Sequence, residues 1–534
     1  MFFYFFIIYM SQNKINTLSS SSFNTVGISE KMRYAQYVRN ATARPRDPQE
    51  FLEVIGGIVI TKWRTDFFID LCGNAYVSDI LRHIPDYQFF NNSLLLNMYF
   101  EGPGLETTGI FSFSNSNIQK INFPDTLYFM GKNAFENCSQ LTEIDLSKLL
   151  TIIYQYTFNN CSLLSKVINI SNIEIIEQYA FSNCIELTKF EFLKSIQSIH
   201  NNAFENCSKL SNITFGNDLT FVGNSCFKNC SLLNNIDFQL INEISDSTFE
   251  NCTSLSNIIL SDSLISLGDS SFKGCSNLKY MDLPDSVITI KDRAFENSGI
   301  IDISFSDNLE TIGAYSFYNC DNIEFIRITS NVNQIGMHCF ENCTKLAVIL
   351  FMNTFDGNAF IGSINKIDNY TFYNCINLFF VGFLRNVKII GDYAFYNCVK
   401  LLHPGFLLGV ESIGDYAFYN CKSFTHIFIN DSTTYLGNNA FEDCSFITDV
   451  VIGNNLLHIN PFTFNNCSYL TNILIRSKLL TIGQSAFRNC SFLTSISIPH
   501  VTEIGKFSFE NCFSLTNVDL SGVLYIREKA FYNC

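Results

Sequence analysis

The stretch Ala134 to Leu146, A-F-E-N-C-S-Q-L-T-E-I-D-L, decides how the chain is read, because almost everything after it repeats the phrase. Its Cys recurs at Cys138, Cys161, Cys184, Cys207, Cys230, Cys252 and Cys275, resumes at Cys320 and Cys343, and runs on from Cys375 to Cys534. The steps are 22 or 23 residues, with a single step of 32 between Cys343 and Cys375. Ser298 stands once in the Cys place, and Ser116 opens the series. A Phe lies three residues before each of these positions, from Phe113 to Phe531. A fixed period of a few tens of residues marks a solenoid, in which each unit buries its apolar face only against its neighbours.

Each unit holds two extended pieces joined by turns. The first, L-T-x-I-x-L as in Leu141 to Leu146, alternates as a half-buried strand does. The second is I-G-x-x-A-F, as in Ile413 to Phe418, where the glycine is expected to supply a positive φ at a corner. Asn-Cys-Ser or Asn-Cys-Thr then turns the chain back, Asn being a favoured turn residue. So short a unit has no room for a long helix. The fold class expected is a β-rich solenoid with parallel strand ladders on two sides. It comprises about 19 repeats of 22–23 residues and, at roughly 4.8 Å per rung, extends on the order of 90 Å.

Composition agrees with a long aromatic core. Apolar residues make up 47% and charged residues 16%, with 54 Phe against one Trp, which excludes a disordered chain. A net charge of -15 argues against nucleic acid, whose phosphates require clustered Lys and Arg. Of 20 Cys, 17 share one repeat position, while Cys226 and Cys339 replace the Ala of the A-F pair. In-register side chains on parallel rungs point the same way, which suits the ~90° torsion of a disulfide poorly. A structural ladder of buried Phe and small buried thiols is expected instead: Phe135, Cys138, Phe158, Cys161, Phe181, Cys184, Phe204, Cys207 and their counterparts. This leaves the redox compartment open. The Asn-Cys-Ser and Asn-Cys-Thr triplets match the glycosylation pattern, but a turn role accounts for all of them.

Residues 1–47 read as a leader. Met1 to Met10 is apolar and far short of the ~20 residues of a membrane span. It reads either as the core of a secretory signal, without a preceding basic residue or a following A-x-A site, or as upstream of a start at Met10. Residues 48–109 are apolar but off-period, contain Trp63, and are expected to form an N-terminal cap or small mixed domain. Residues 110–534 form the solenoid, with an insertion near 353–364 expected to loop out. The last repeat reaches Cys534 before the strand it should supply. The expectation is therefore either a truncated product or an uncapped edge that meets a partner or self-associates.

The phrase A-F-x-N-C-S-x-L-T-x-I-x-L followed by I-G-x-x-A-F resembles the BspA-like, or Treponema pallidum type, leucine-rich repeat. Phe181 to Phe192 and Phe487 to Ile498 carry the match well, and it covers about Ile110 to Cys534. The resemblance implies a curved, right-handed leucine-rich-repeat superhelix without a shared catalytic centre. Such proteins are often displayed at microbial or protist cell surfaces as adhesins or antigens. Partners would then be proteins, host or extracellular-matrix proteins among them, with no cofactor.

The third and fifth positions of each first strand should face solvent. Early repeats place polar groups there, as with Glu143 and Asp145 or Lys189 and Glu191. Middle repeats place Phe325 and Arg327, Val348 and Leu350, Phe380 and Gly382, then His403, Phe428, Val451 and Leu474. An apolar stripe on an exposed sheet marks a protein-binding surface, so these residues are the candidate partner-binding face. Packing against the insertion is the structural alternative. His403, His426 and Asp449 recur at 23-residue spacing and are weak candidates for a metal, since a linear column does not converge on one ion. His338 beside Cys339 is a tempting pair, but Cys339 occupies the buried Ala position. No nucleophile, carboxylate pair or phosphate loop recurs with catalytic spacing, so no enzyme is expected. The function expected is protein recognition, as a cell-surface or secreted adhesin. The alternative is an intracellular, cytoplasmic scaffold, which a start at Met10 and reduced thiols would favour.

Overall fold

A computed structural model describes the backbone of five N-terminal strands, Ile7–Ile8, Ala35–Gln36, Phe51–Ile55, Ile58–Lys62 and Phe67–Asp70. It then describes the chain from Gly73 onward, apart from 78, 193–195, 352–363, 383–385 and 403–406. Trp63, His403, most of the insertion and, two short strands aside, the leader lie outside the described residues. The chain is a β-solenoid of parallel strand ladders, and it divides into two compact units, Met1–Phe238 and Gln239–Cys534.

In the first unit, Asn74–Val77, Asn97–Phe100, Lys120–Asn122, Glu143–Asp145 and Lys166–Ile168 pair parallel and in register. A second ladder joins His83–Ile84, Thr107–Thr108 and Phe129–Met130, and a third runs from Ile152–Ile153 to Phe221–Val222. Phe67–Asp70 pairs antiparallel with Asn74–Val77, and behind it lie Ala35–Gln36, Ile7–Ile8 and the hairpin Phe51–Ile55/Ile58–Lys62. This block occupies the edge that the first parallel rung would otherwise expose. The parallel ladder is thus present at Asn74, ahead of Ile110, where the sequence places its first repeat. The reason is local: Phe89 already stacks on Phe113, centroids 5.2 Å apart, but Asn92 stands where later rungs have Cys. The Asn92 side-chain oxygen accepts the Leu94 and Leu95 amides and holds the turn without the thiol.

The second unit repeats the plan. One side carries strands such as Phe325–Ile328, Val348–Phe351 and Phe380–Val381, and the other carries two-residue strands from Glu243–Ile244 to Tyr525–Ile526. Most turns are built alike, with Gly274, Ser298 and Asp443 as departures. Around Phe395, the Phe395 amide donates to the Ala417 carbonyl (2.8 Å) and the Asn397 amide to the Tyr419 carbonyl (2.8 Å). The Asn397 side-chain amide donates back to the Asn374 oxygen (2.6 Å), and Cys398 Sγ donates to the Phe372 carbonyl (3.2 Å). Phe395 stacks between Phe372 and Phe418 at 5.1 and 5.2 Å. The Phe, Asn and Cys of this rung therefore satisfy their buried polar groups on its two neighbours. The 32-residue step leaves this register intact, because Cys375 Sγ still reaches the Phe340 carbonyl (3.0 Å) and Asn374 still reaches Asn342 (3.0 Å).

One expectation is corrected. The glycine of I-G does not supply a positive φ; among the described glycines only Gly73 and Gly274 do. The left-handed residue comes two positions later, as at Tyr416 (φ 55), with Asn420 (φ 59) completing the turn. What demands glycine is proximity: a Cβ on Gly414 would lie 2.7 Å from the Asp392 nitrogen and the Gly391 carbonyl carbon of the preceding rung.

Candidate recognition surface

Strand pairing fixes which outward side chains meet. In the second unit Phe325 faces Val348 and Val348 faces Phe380, while Arg327 faces Leu350. Three further strands align His426, Asp449 and Asn472 in one column and Phe428, Val451 and Leu474 in the next. The alternate residues Ile326, Ile328, Ile349, Phe351, Ile427, Ile429, Val450 and Ile452 point into the core and are buried. Phe325, Val348, Leu350 and Val451 are half-buried and Arg327 is exposed, whereas Gly382 is buried. Phe380, Phe428 and Leu474 expose 41%, 42% and 52% of their surface.

The apolar residues therefore do not form one straight stripe. They occupy the third strand position at Phe325, Val348 and Phe380, and the fifth at Leu350, Phe428, Val451 and Leu474. Most of the strands that carry them are long: Phe325–Ile328, Val348–Phe351, His426–Ile429, Asp449–Ile452 and Asn472–Ile475 have four residues each, against three at Lys189–Glu191 or Asn212–Thr214, whereas Phe380–Val381 has two. Branched and aromatic side chains on both faces favour the pleated conformation, so the sequence that makes the patch also lengthens its strands.

The polar column is a chain of hydrogen bonds. His426 Nε2 lies 3.3 Å from Asp449 Oδ2. The Thr448 hydroxyl (2.6 Å) and the Asn472 side-chain amide (2.8 Å) donate to the Asp449 carboxylate. These two donors, aided by His426, hold the Asp449 carboxyl below its ordinary range. Both Asp449 oxygens are thus engaged within the sheet. Among the described residues no three His, Cys, Asp or Glu side chains converge as metal ligands.

The buried ladder is chemically quiet. Phe135, Cys138, Phe158, Cys161, Phe181, Cys184, Phe204 and Cys207 are buried, and the described thiols are free. Burial pushes the Cys138 and Cys320 thiols up to about 12 and raises the others as well, so the nucleophilic thiolate is suppressed. His338 does not act on Cys339. Its Nδ1 bonds Glu341, and its ring stacks between Tyr315 and Tyr370. Those stacked rings belong to a second surface feature that the strand pattern alone does not reveal, although the repeated Y-x-F-Y-N-C of Tyr370 to Cys421 signals it.

Parallel ladders with one Phe–Asn–Cys turn per rung and an outward-facing strand sheet define a leucine-rich-repeat solenoid. The pattern of the BspA type leucine rich repeat region matches in six copies, over residues 72–173, 151–262, 242–365, 351–406, 365–491 and 411–534, and the chain belongs to that family. Similar solved structures include a leucine-rich repeat protein from Bacteroides ovatus, at 27% identity over 68% of this chain and 80% of that one, with a TM-score of 0.44. Another, from Eubacterium ventriosum, is 19% identical over 71% of this chain and 93% of that one, with a TM-score of 0.38. The pneumococcal vaccine antigen PcpA is 14% identical over 87% of this chain and 98% of that one, with a TM-score of 0.27. No curated protein matches the chain. Among the described residues no helix is long and apolar enough to cross a membrane.

Proposed function

We propose that the chain is a non-enzymatic protein-recognition solenoid whose binding face is the outward strand surface from Phe325 to Leu474. The observation that carries this reading is the exposure of Phe380, Phe428 and Leu474 on the outward faces of two three-stranded sheets, where the counterpart strands in the first unit are lined by Lys189, Glu191, Asn212 and Thr214. Rigid strands present the patch at fixed spacing, with Arg327 and the His426–Asp449 pair beside it for orientation. An exposed apolar sheet rimmed by polar groups suits a partner with complementary apolar side chains. Family membership supports a cell-surface or secreted adhesin. The free-thiol ladder favours a second reading, an intracellular scaffold using the same face.

The test uses the full chain immobilised against extracts of candidate partner cells and matrix. Phe380→Asp and Phe428→Asp together are expected to release the specific partners, while Lys189→Ala with Glu191→Ala retains them. Partners that remain bound to the Asp variant, with its circular dichroism unchanged, would refute the assignment of the face. Intact mass and thiol count of the native protein separate the two settings: a trimmed N-terminus with glycan supports the adhesin, and a start at Met10 with reduced thiols supports the scaffold.

A further inference from the structure

The turns of the second unit carry a feature independent of the strand face. The sequences Y-S-F-Y-N-C (Tyr315 to Cys320), Y-T-F-Y-N-C (Tyr370 to Cys375) and Y-A-F-Y-N-C (Tyr393 to Cys398 and Tyr416 to Cys421) place two tyrosines on each turn. The first members stack in one column through His338: Tyr315–His338 at 4.4 Å, His338–Tyr370 at 4.5 Å, and Tyr370–Tyr393 and Tyr393–Tyr416 both at 4.8 Å. The second members stack beside them, Tyr373–Tyr396 at 4.7 Å and Tyr396–Tyr419 at 4.6 Å. All are half-buried. Rings stacked in this way cover one another's faces and leave their edges and hydroxyl groups to solvent.

Carboxylates accompany the band, and their partners are neutral. Asp392 Oδ1 accepts the Asp415 amide (2.8 Å) and Asp415 Oδ1 accepts the Asn438 amide (2.7 Å). Glu442 is bonded by the Asn439 and Asn465 side chains, and Asp443 by Asn466. The turn segments 368–375, 391–398 and 414–421 contain no Lys or Arg. Turn cations elsewhere in the chain meet carboxylates, as Lys273 does Glu296 (3.1 Å) and Arg488 does Glu510 (2.6 Å), and Arg293 and Lys529 lie on an aromatic ring. The Arg293 guanidinium carbon is 4.5 Å from the Tyr315 ring centre, with Nη1 3.0 Å from Glu296 Oε2. Lys529 Nζ lies 5.7 Å from the Tyr532 ring. The chain therefore contains its own example of an arginine held between a ring and a carboxylate on this band.

We propose that the tyrosine band from Tyr370 to Tyr419, with Asp392, Asp415, Glu442 and Asp443, binds an arginine-rich extended segment of a partner protein. The guanidinium groups donate to the outer carboxylate oxygens and to phenol oxygens, and one packs on the open ring face at the column end. The phenols are suited to accepting such bonds. Burial raises Tyr370, Tyr393 and Tyr396, and the hydrogen bond to Asp443 raises Tyr419, so all stay neutral at physiological pH. The site is separate from the Phe325–Leu474 face and does not depend on it.

The experiment titrates the full chain into a fluorescein-labelled (Arg-Ser)6 peptide, with (Lys-Ser)6 and (Glu-Ser)6 peptides and a neutral hexasaccharide in parallel, following anisotropy at low and moderate salt. Asp392→Asn with Asp415→Asn keeps the amide-accepting oxygen, as Asn369 does naturally toward the Asp392 amide, and is expected to weaken the arginine peptide about tenfold. Tyr393→Phe with Tyr396→Phe keeps the stacks and is expected to cost about threefold. The control Asp282→Asn with Asp302→Asn removes the same charge from the strand face and leaves affinity unchanged. Equal loss in the Asp282/Asp302 control would mean attraction to net charge only and overturn the site. Equal binding of the lysine peptide, preference for the hexasaccharide, or no arginine-peptide binding by the unaltered chain would overturn it too.

Discussion

Gly268→Ala isolates the reason for the recurring glycine. Gly268 is not at positive φ, so on backbone freedom alone an alanine there would stabilise the protein by about 0.4–1 kcal/mol, through a less disordered unfolded chain. The structure predicts the opposite sign. A Cβ on Gly268 would stand 2.6 Å from the Ser245 carbonyl carbon and 2.7 Å from the Asp246 nitrogen, both backbone atoms. That is roughly 1 Å short of a comfortable carbon contact. Moving the rung by this amount stretches the bonds from the Gly268 amide to the Ile244 carbonyl (2.7 Å) and from the Asp269 amide to Asp246 Oδ1 (2.9 Å). Two weakened bonds at about 1 kcal/mol each, with overpacking, would reach about 3 kcal/mol. Lys291 and Asp368 occupy the equivalent place in other rungs, so the backbone is able to adjust, and the expected loss is about 1–3 kcal/mol. Urea unfolding followed by far-ultraviolet circular dichroism should show the midpoint falling by about 0.5–1 M. Hydrogen exchange should accelerate first in the rungs around Ser245 and Gly268. A midpoint at or above that of the unaltered protein would refute the proximity argument.

Other outcomes follow from the same geometry. Gly274 is the positive-φ residue (φ 73) where other rungs have Asn; Gly274→Asn is expected to raise stability by about 0.5–1 kcal/mol, read as a higher urea midpoint. The ladder thiols should resist alkylation at pH 8 and react in full in denaturant. Because burial lifts their folded pKa above the unfolded one, their stabilisation is complete below the unfolded pKa near 9 and is lost as pH rises from there towards about 12. Each fully buried ladder thiol should cost about 1.4 kcal/mol per pH unit in that window, giving steep alkaline unfolding between urea titrations at pH 8 and pH 10. Cys421→Ala removes the bond from Sγ to the Phe395 carbonyl (3.1–3.2 Å class, here 3.2 Å) and leaves a small void, for an expected loss of about 1–2 kcal/mol.

The solenoid was legible because one rung recurs so often that its Phe, Cys and Asn speak for every other. The same dependence hid the first rungs: Asn92 replaces the Cys, and a reading keyed to Cys begins too late. The glycine's role differs from the expected one because a recurring Gly shows that Cβ is disfavoured but not whether dihedral angle or a neighbouring backbone disfavours it. Strand alternation located Phe380 and Phe428 on the outer side. It did not reveal that the apolar side chains change column between Phe380 and Phe428, which is a matter of register. The tyrosine band escaped for another reason: Tyr393 and Tyr396 lie in a turn, where no simple period says which side chains share a surface.

The stacking surfaces above and below a rung are near copies, since each Phe, Cys and Asn meets its own kind. Excising one whole period, for instance the 23 residues that separate Cys398 from Cys421, would bring together faces that already fit. Lengthening or shortening the array by recombination between repeats is therefore structurally cheap, and the reach of the protein is free to vary while its cross-section stays fixed. The hazard is misalignment by one full period during folding, when a rung closes on the wrong neighbour. Odd residues such as Cys226, Arg293 and His338 work against that error, because each fits best in one place.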